Sequence, residues 1–282
     1  MILVADSGST KTEWSCIAEQ STTRFNTIGM NPYFVTEEMI CKEIRNNFPT
    51  QYQTNDIDAI YFFGSGCGRE ESKAIVRNAL QAIFVHANIT VDSDLVGAAI
   101  ANYGNEQGII SILGTGMNIG YWDGQSVHTP LPSLGFILGD AGSGSALGKT
   151  LIKNIFERQM TSQTTEAFFN QYKLTVTELL EAVYKRPRPN AYLASFVPFI
   201  AEHKDLEDIQ LLIRSVFANF TNIYAKQIAA DFQSDKIAFV GSIAKIFQNE
   251  LRESLQTANI QLTKISSHPI EGMEIFFKND RI

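Results

Sequence analysis

The chain has 282 residues, 44% of them hydrophobic and 19% charged, with a formal net charge of −7. It is long enough to bury more than one core and too acidic to suit a nucleic-acid backbone, which is neutralised by Lys and Arg. Its three cysteines lack a CxxC spacing and its four histidines are scattered, so neither a disulfide framework nor a metal-ligand pattern is expected. No apolar run reaches the roughly 20 residues of a membrane span, and Met1 opens directly into ILVAD. The expectation is a cytoplasmic protein without a leader or a membrane partner.

Short apolar strands are predicted at Ile2–Ala5, Glu13–Ala18 and Thr22–Ile28, followed by a helix at Glu37–Asn47. A strand at Ala59–Phe63, a helix at Glu70–Ala82, a strand at Ile89–Val91 and a helix from Leu95 to Ala101 complete the first part. The second part starts in the same way, with strands at Gly108–Leu113, Met117–Trp122 and Ser126–Thr129. Helices are predicted from Gly144 to Gln159, Thr164 to Tyr172, Thr175 to Tyr184 and Tyr192 to Ala201. The longest, Asp205–Phe232, carries one apolar stripe of Ile209, Ile213, Val216, Phe220, Ile223 and Ile228. A strand at Ile237–Val240, a helix at Ile243–Leu255, a strand at Ile260–Leu262 and a helix at Ile270–Lys278 end the chain. Two units that each begin βββ and continue as α/β imply a duplicated α/β architecture with a cleft between the halves.

Each half has a glycine-rich bend after its first strand. DSGSTKT (Asp6–Thr12) is a hairpin of small and hydroxylated residues whose backbone N–H groups and hydroxyls can approach a polyphosphate. Gly8 carries no Cβ to obstruct that approach. Asp6 is placed to hold Mg²⁺ through water, and Lys11 can offer a point charge. ILGTGMN (Ile112–Asn118) repeats the design, and AFVGSIAKIF (Ala238–Phe247) is a strand, a glycine turn and a helix start, in which Gly241 would let adenosine lie against the backbone. VDSDLVGAA (Val91–Ala99) sets Asp92 and Asp94 between a strand and a helix. Either can cap the helix, or one of them can act as a general base toward an alcohol.

The stretch GDAGSGSALGKT (Gly139–Thr150) ends like a P-loop yet fits none. Gly144 stands three residues before Gly148 and Gly142 stands five, where the phosphate-cradling loop needs four. The dinucleotide pattern also misses by one residue.

The motifs DSGSTKT, ILGTGMN, DSDLVGAA with Asp94, GDAGSG and AFVGSIAKIF occur in the order seen in actin-like sugar kinases. The chain resembles N-acetylglucosamine kinases within the BadF/BadG/BcrA/BcrD ATPase family, from Asp6 to the terminal helix. The resemblance implies two actin/hexokinase-type, ribonuclease H-like domains, each with a mixed five-stranded sheet. Their expected bounds are 1–105, completed by a helix at 269–282, and 106–268. It implies ATP and Mg²⁺ as cofactors, an amino sugar as acceptor, and a homodimer.

Residue by residue, Asp6 matches the first phosphate-motif aspartate, near Mg²⁺, with Gly8, Ser9, Thr10 and Lys11 on the phosphate side. Gly114, Thr115 and Gly116 match the second phosphate loop, and Gly241 with Ser242 the adenosine motif. Asp94 matches the catalytic base, while Asn31 in TIGMNPY, Thr115 and Asp140 in GDAGSG match substrate-side positions. GDAGSGSALGKT then becomes a sugar-side loop leading into a helix, with Lys149 an ordinary helical residue. Three positions depart from the family pattern: Ala141 stands where an acid is usual, Leu134 lies where a tryptophan is common, and Met117 replaces a serine. Two rivals share the motifs. One is an iron–sulfur ATPase activator of a dehydratase, for which Cys67 in FGSGCG would be the thiolate; the other is a sugar-sensing regulator without catalysis.

Overall fold

A computed structural model describes residues 1–8, 10–19 and 21–279. The chain divides into two units. The first is Met1–Gln107 with Trp122–Val127 and the segment from His268, and the second is Gly108–Tyr121 with His128–Ser267.

The first unit is built on strands β1 (Ile2–Ser7), β2 (Lys11–Ile17), β3 (Thr22–Ile28), β4 (Ala59–Gly64) and β5 (Asn88–Ser93), in the order β3-β2-β1-β4-β5. β1 runs antiparallel to β2 and parallel to β4, which is parallel to β5. The apolar run of β1 is buried almost throughout because helices cover both sides of a parallel sheet centre. Helix α1 (Glu37–Asn47) starts where the Thr36 side chain accepts the Met39 N–H, and it buries Ile40 and Ile44. Helices α2 (Glu70–Gln81) and α3 (Asp94–Tyr103) follow β4 and β5. The core includes Leu3, Trp14, Phe62 and Phe84. The tip of the hairpin at 122–127 belongs to this unit: Trp122 Nε1 donates to the Gly104 carbonyl at 2.9 Å.

The second sheet comprises β6 (Gly108–Leu113), β7 (Met117–Trp122), β8 (Val127–His128), β9 (Lys236–Val240) and β10 (Gln261–Ser266), in the order β10-β9-β6-β7-β8. Read from its other edge, this order repeats that of the first sheet. Its helices are α4 (Gly135–Leu138), α5 (Gly144–Phe156), α6 (Ser162–Tyr172), α7 (Val176–Tyr184), α8 (Pro189–Ala194), α9 (Val197–Glu202), α10 (Glu207–Phe220), α11 (Lys226–Phe232), α12 (Ser242–Ile246) and α13 (Gln248–Gln256). The terminal helix α14 (Pro269–Asn279) returns to the first unit, where Arg24 of β3 grips Glu274 with Nε–Oε1 at 2.7 Å and Nη2–Oε2 at 2.8 Å.

Three expected helices differ in the structure. The segment expected as one helix at Tyr192–Ala201 is divided between α8 and α9, with Pro198 in the first turn of α9, where its missing N–H does no harm. The segment from Ile243 to Leu255 breaks at the fully buried Phe247 into α12 and α13. The long helix is interrupted by a π turn at Thr221–Ala225. The wider turn rotates Ile223, expected in the stripe, off the apolar face to 42% exposed. Tyr224, four residues after Phe220, is buried at 7%. Neither α4 nor the 3₁₀ turn at Thr54–Asp56 was foreseen, since four and three residues carry too little periodicity to read.

Candidate active site

In the first unit the strand registers align Ser7, Gly64 and Ser93 at the carboxyl edge of the parallel strands. Ligands in open α/β sheets collect at that edge. Asp6 lies one residue inside it, facing Phe63 across the parallel pair and Glu13 across the antiparallel one, and Asp94 lies one residue past it, opening α3. Gly8 N–H donates to the Lys11 carbonyl at 3.0 Å to close the hairpin, and the Thr10 carbonyl accepts Gly29 N–H at 2.9 Å. Beneath the bend, Ser7 Oγ and Thr12 Oγ1 are 2.7 Å apart and buried, and Ser7 Oγ also accepts Met30 N–H at 3.1 Å. These hydroxyls, which sequence reasoning missed, tie the bend to Asn31. Ser9 lies outside the described residues.

Asn31 is buried, its Oδ1 accepts Tyr33 N–H at 3.0 Å and its Nδ2 donates to Ser65 Oγ at 3.4 Å. Gly66, at φ +83°, has no room for a Cβ against the Asn31 amide, so this glycine is fixed by both conformation and contact. Lys11 is engaged locally, its Nζ 2.7 Å from Glu13 Oε1.

The two carboxylates of VDSDLVGAA have separate fates. Asp92 Oδ1 accepts Ser93 N–H at 2.8 Å and pairs with Lys73 Nζ at 2.9 Å. Among the described residues Asp94 has only backbone N–H donors, its own and that of Leu95. Burial pushes its carboxyl up to about 6 against those bonds. Asp6 is pushed up to about 7, first by burial, then by the charge of Asp94 and then by that of Glu13. A poorly solvated carboxyl whose pKa is raised toward neutrality is what a general base near pH 7 requires, and two such carboxyls at one edge leave room for a cation that would favour their ionised forms. Among the described residues no group of three His, Cys, Asp or Glu could cage a metal. This donor set suits Mg²⁺, which keeps most of its water and takes one or two carboxylates. Cys67 is buried, and burial pushes its thiol up to about 12, the opposite of a cluster-ligating thiolate.

In the second unit the matching edge aligns Ile112, Val240 and Ser266, so the bends after β6 and β9 start side by side. Gly241 sits at φ +117°, and a Cβ there would collide with the Leu113 carbonyl. That contact presses the start of α12, with Ser242 exposed on it, against Gly114. Gly114 N–H donates to the Gly116 carbonyl at 3.0 Å, and the Gly114 and Thr115 carbonyls accept Gly144 and Ser145 N–H at 2.8 and 3.0 Å. The first N–H groups of α5 are therefore already bound to protein, and the third, from Ala146, is held by Ser143 Oγ at 3.1 Å. A P-loop would aim those donors at phosphate; here they lock two loops together.

Gly148 is explained by packing, because a Cβ there would collide with the Leu193 carbonyl of α8. Lys149 is exposed and donates to the Phe136 carbonyl of α4 at 2.9 Å. Asp140, in the left-handed region at φ 57° and 8% exposed, accepts Met117 N–H. A Cβ on Gly116 would stand 2.9 Å from its Oδ2. Burial raises the Asp140 carboxyl, opposed by the Met117 N–H and the Lys149 charge. Gly114, Thr115, Gly116, Asp140, Gly241 and Ser242 thus occur in one neighbourhood of the second unit, as Asp6, Thr10, Asn31 and Asp94 do in the first.

The comparisons agree in kind. A crystal structure of a candidate N-acetylglucosamine kinase from Porphyromonas gingivalis is similar over 100% of both chains, with 34% identity and a TM-score of 0.90. Another candidate N-acetylglucosamine kinase, from Chromobacterium violaceum, shares the fold at 16% identity and TM-score 0.71 over 98% of each chain. A ROK family glucokinase from Streptomyces griseus, in complex with glucose and AMPPNP, shares it at 13% identity and TM-score 0.59 over 99% of this chain and 98% of that one. No curated protein matches the sequence. The model of the BadF/BadG/BcrA/BcrD ATPase family matches residues 5–274, and with its paired α/β sheets and these two glycine-edged neighbourhoods, the chain belongs to that family.

Proposed function

We propose that the protein is an ATP-dependent sugar kinase that transfers the γ-phosphoryl group to the 6-hydroxyl of N-acetylglucosamine or a close amino-sugar relative. The observation that carries this reading is Asp94: a poorly solvated carboxyl at the sheet edge, without a cationic partner among the described residues, beside an Asp92 already neutralised by Lys73. The similarity to candidate N-acetylglucosamine kinases supports the acceptor class.

Phosphoryl transfer runs through a loose transition state, so positioning and charge stabilisation dominate. In this reading Asp94 accepts the acceptor hydroxyl proton as the oxygen attacks phosphorus and the ADP oxygen leaves. Asn31 and Asp140 orient the sugar, with Asp140 accepting sugar hydroxyls. The bends after β1 and β6 would present hydroxyls and N–H groups not already bound within the protein to phosphate oxygens, a role that the sequence also assigns to Ser9. Gly241 and Ser242 receive the adenosine. Asp6 would hold Mg²⁺ through water, and the ion would neutralise phosphate charge. An ADP-release assay across amino sugars and hexoses, with and without Mg²⁺, tests the reading. Release stimulated by one amino sugar and dependent on Mg²⁺ is expected; sugar-independent hydrolysis alone would refute it.

A further inference from the structure

We propose that Tyr224 is a further acceptor-binding residue, its hydroxyl set against the Asp140 loop to hydrogen-bond a sugar hydroxyl. The inference rests on the reading of Asp140 as a sugar contact.

Without the π turn, an α-helix continuing from α10 would set Ile223 on the buried face, as the spacing from Val216 and Phe220 predicts. The wider turn carries Ile223 outward, while Tyr224, four residues after Phe220, stays on the buried face. Such single π turns cost hydrogen-bond geometry and recur at functional positions. This one is anchored by Thr221 Oγ1 at 2.8 Å from Ser254 Oγ. The Tyr224 ring stacks on Phe220 with centroids 6.4 Å apart. Phe220 in turn closes on Gly142, where a Cβ would lie 3.0 Å from the Phe220 Cβ. The Tyr224 hydroxyl stands 3.3 Å from where a Cβ of Gly139 would be. The tyrosine thus backs Gly139 directly and Gly142 through Phe220, the two residues that flank Asp140 and Ala141.

Tyr224 is more than nine-tenths buried as a residue, and no hydrogen bond joins its hydroxyl to another of the described residues. The hydroxyl oxygen is not itself among the enclosed unpartnered atoms, so a ligand can reach it, and a tyrosine with an apolar body ordinarily gives its hydroxyl a polar partner. Burial and the Asp140 charge both raise the phenol pKa, so it remains a donor at any working pH. A donor beside a carboxylate acceptor matches a sugar hydroxyl, which donates one bond and accepts another.

The test is calorimetric binding of N-acetylglucosamine to the full chain, wild type and Tyr224→Phe, with Tyr184→Phe as a surface control because Tyr184 is 78% exposed. Tyr224→Phe should bind about tenfold more weakly, the size of one hydrogen bond to a buried group, with affinity for a non-hydrolysable ATP analogue unchanged. Singly deoxygenated sugars separate contact from a structural role. For one of them the losses from deoxygenation and from Tyr224→Phe should fail to add, since both remove the same bond. Equal sugar affinity for Tyr224→Phe and wild type, or strict additivity with every deoxy sugar, overturns the inference. Sugar binding without phosphoryl transfer would sink the kinase reading and leave this one standing. A wild-type protein that binds none of the sugars overturns both.

Discussion

Replacing Asp94 by Asn should stabilise the protein while disabling it. The Asp94 carboxyl, ordinarily at 3.8, titrates near 6 in the folded chain because burial outweighs its two backbone hydrogen bonds. A group that binds its proton more tightly when folded contributes its full stability below the unfolded value, and this is lost as pH rises through the folded one. Between pH 4 and 6, therefore, the wild type loses up to about 3 kcal/mol at this residue, and it stays at the lower level above. Asp94 as a residue is half-buried rather than fully enclosed, which makes that an upper value. Asn keeps an oxygen for the Leu95 N–H and removes the charge, which also relieves Asp6. Urea unfolding in EDTA should show Asp94→Asn more stable than wild type by about 1–3 kcal/mol at pH 8 and equal to it at pH 4. Turnover should fall at least ~10²-fold, the contribution of a positioned base. A variant less stable than wild type at pH 8 would show that the carboxyl is not desolvated, and the argument for it as a base would fail.

Gly148→Ala should destabilise by about 2 kcal/mol or more in thermal or urea unfolding, because the new methyl meets the Leu193 backbone, which cannot rotate away; a neutral result would contradict the α5–α8 contact. Lys149→Met removes one exposed hydrogen bond to Phe136 and should leave turnover within about fivefold of wild type, whereas a loss matching that of Asp94→Asn in the same assay would restore the P-loop reading. Arg24→Met strips the two-pronged partner from the buried Glu274. It should lower stability by about 2 kcal/mol at pH 7, with the deficit shrinking on acidification as Glu274, held low chiefly by its bond to Arg24 against burial, becomes protonated.

The sequence by itself determined the duplication. The βββ starts, the matching glycine bends after β1 and β6, and the helices with clear 3.6-residue spacing and caps were legible, α1 to its end residues. Local chemistry sets these features: strand burial, turn residues and N-caps act over a few neighbours. Tertiary structure decided what spacing cannot encode. It paired Asp92 with Lys73 and gave Asp94, among the described residues, backbone donors alone. It bound the α5 N-terminus to the Gly114–Thr115 carbonyls, so that a near-P-loop is a loop lock. It also introduced the π turn in which Ile223 is exposed. Each of these depends on groups far apart in the chain competing for one hydrogen bond or one buried position, and that competition is settled only when the chain has folded.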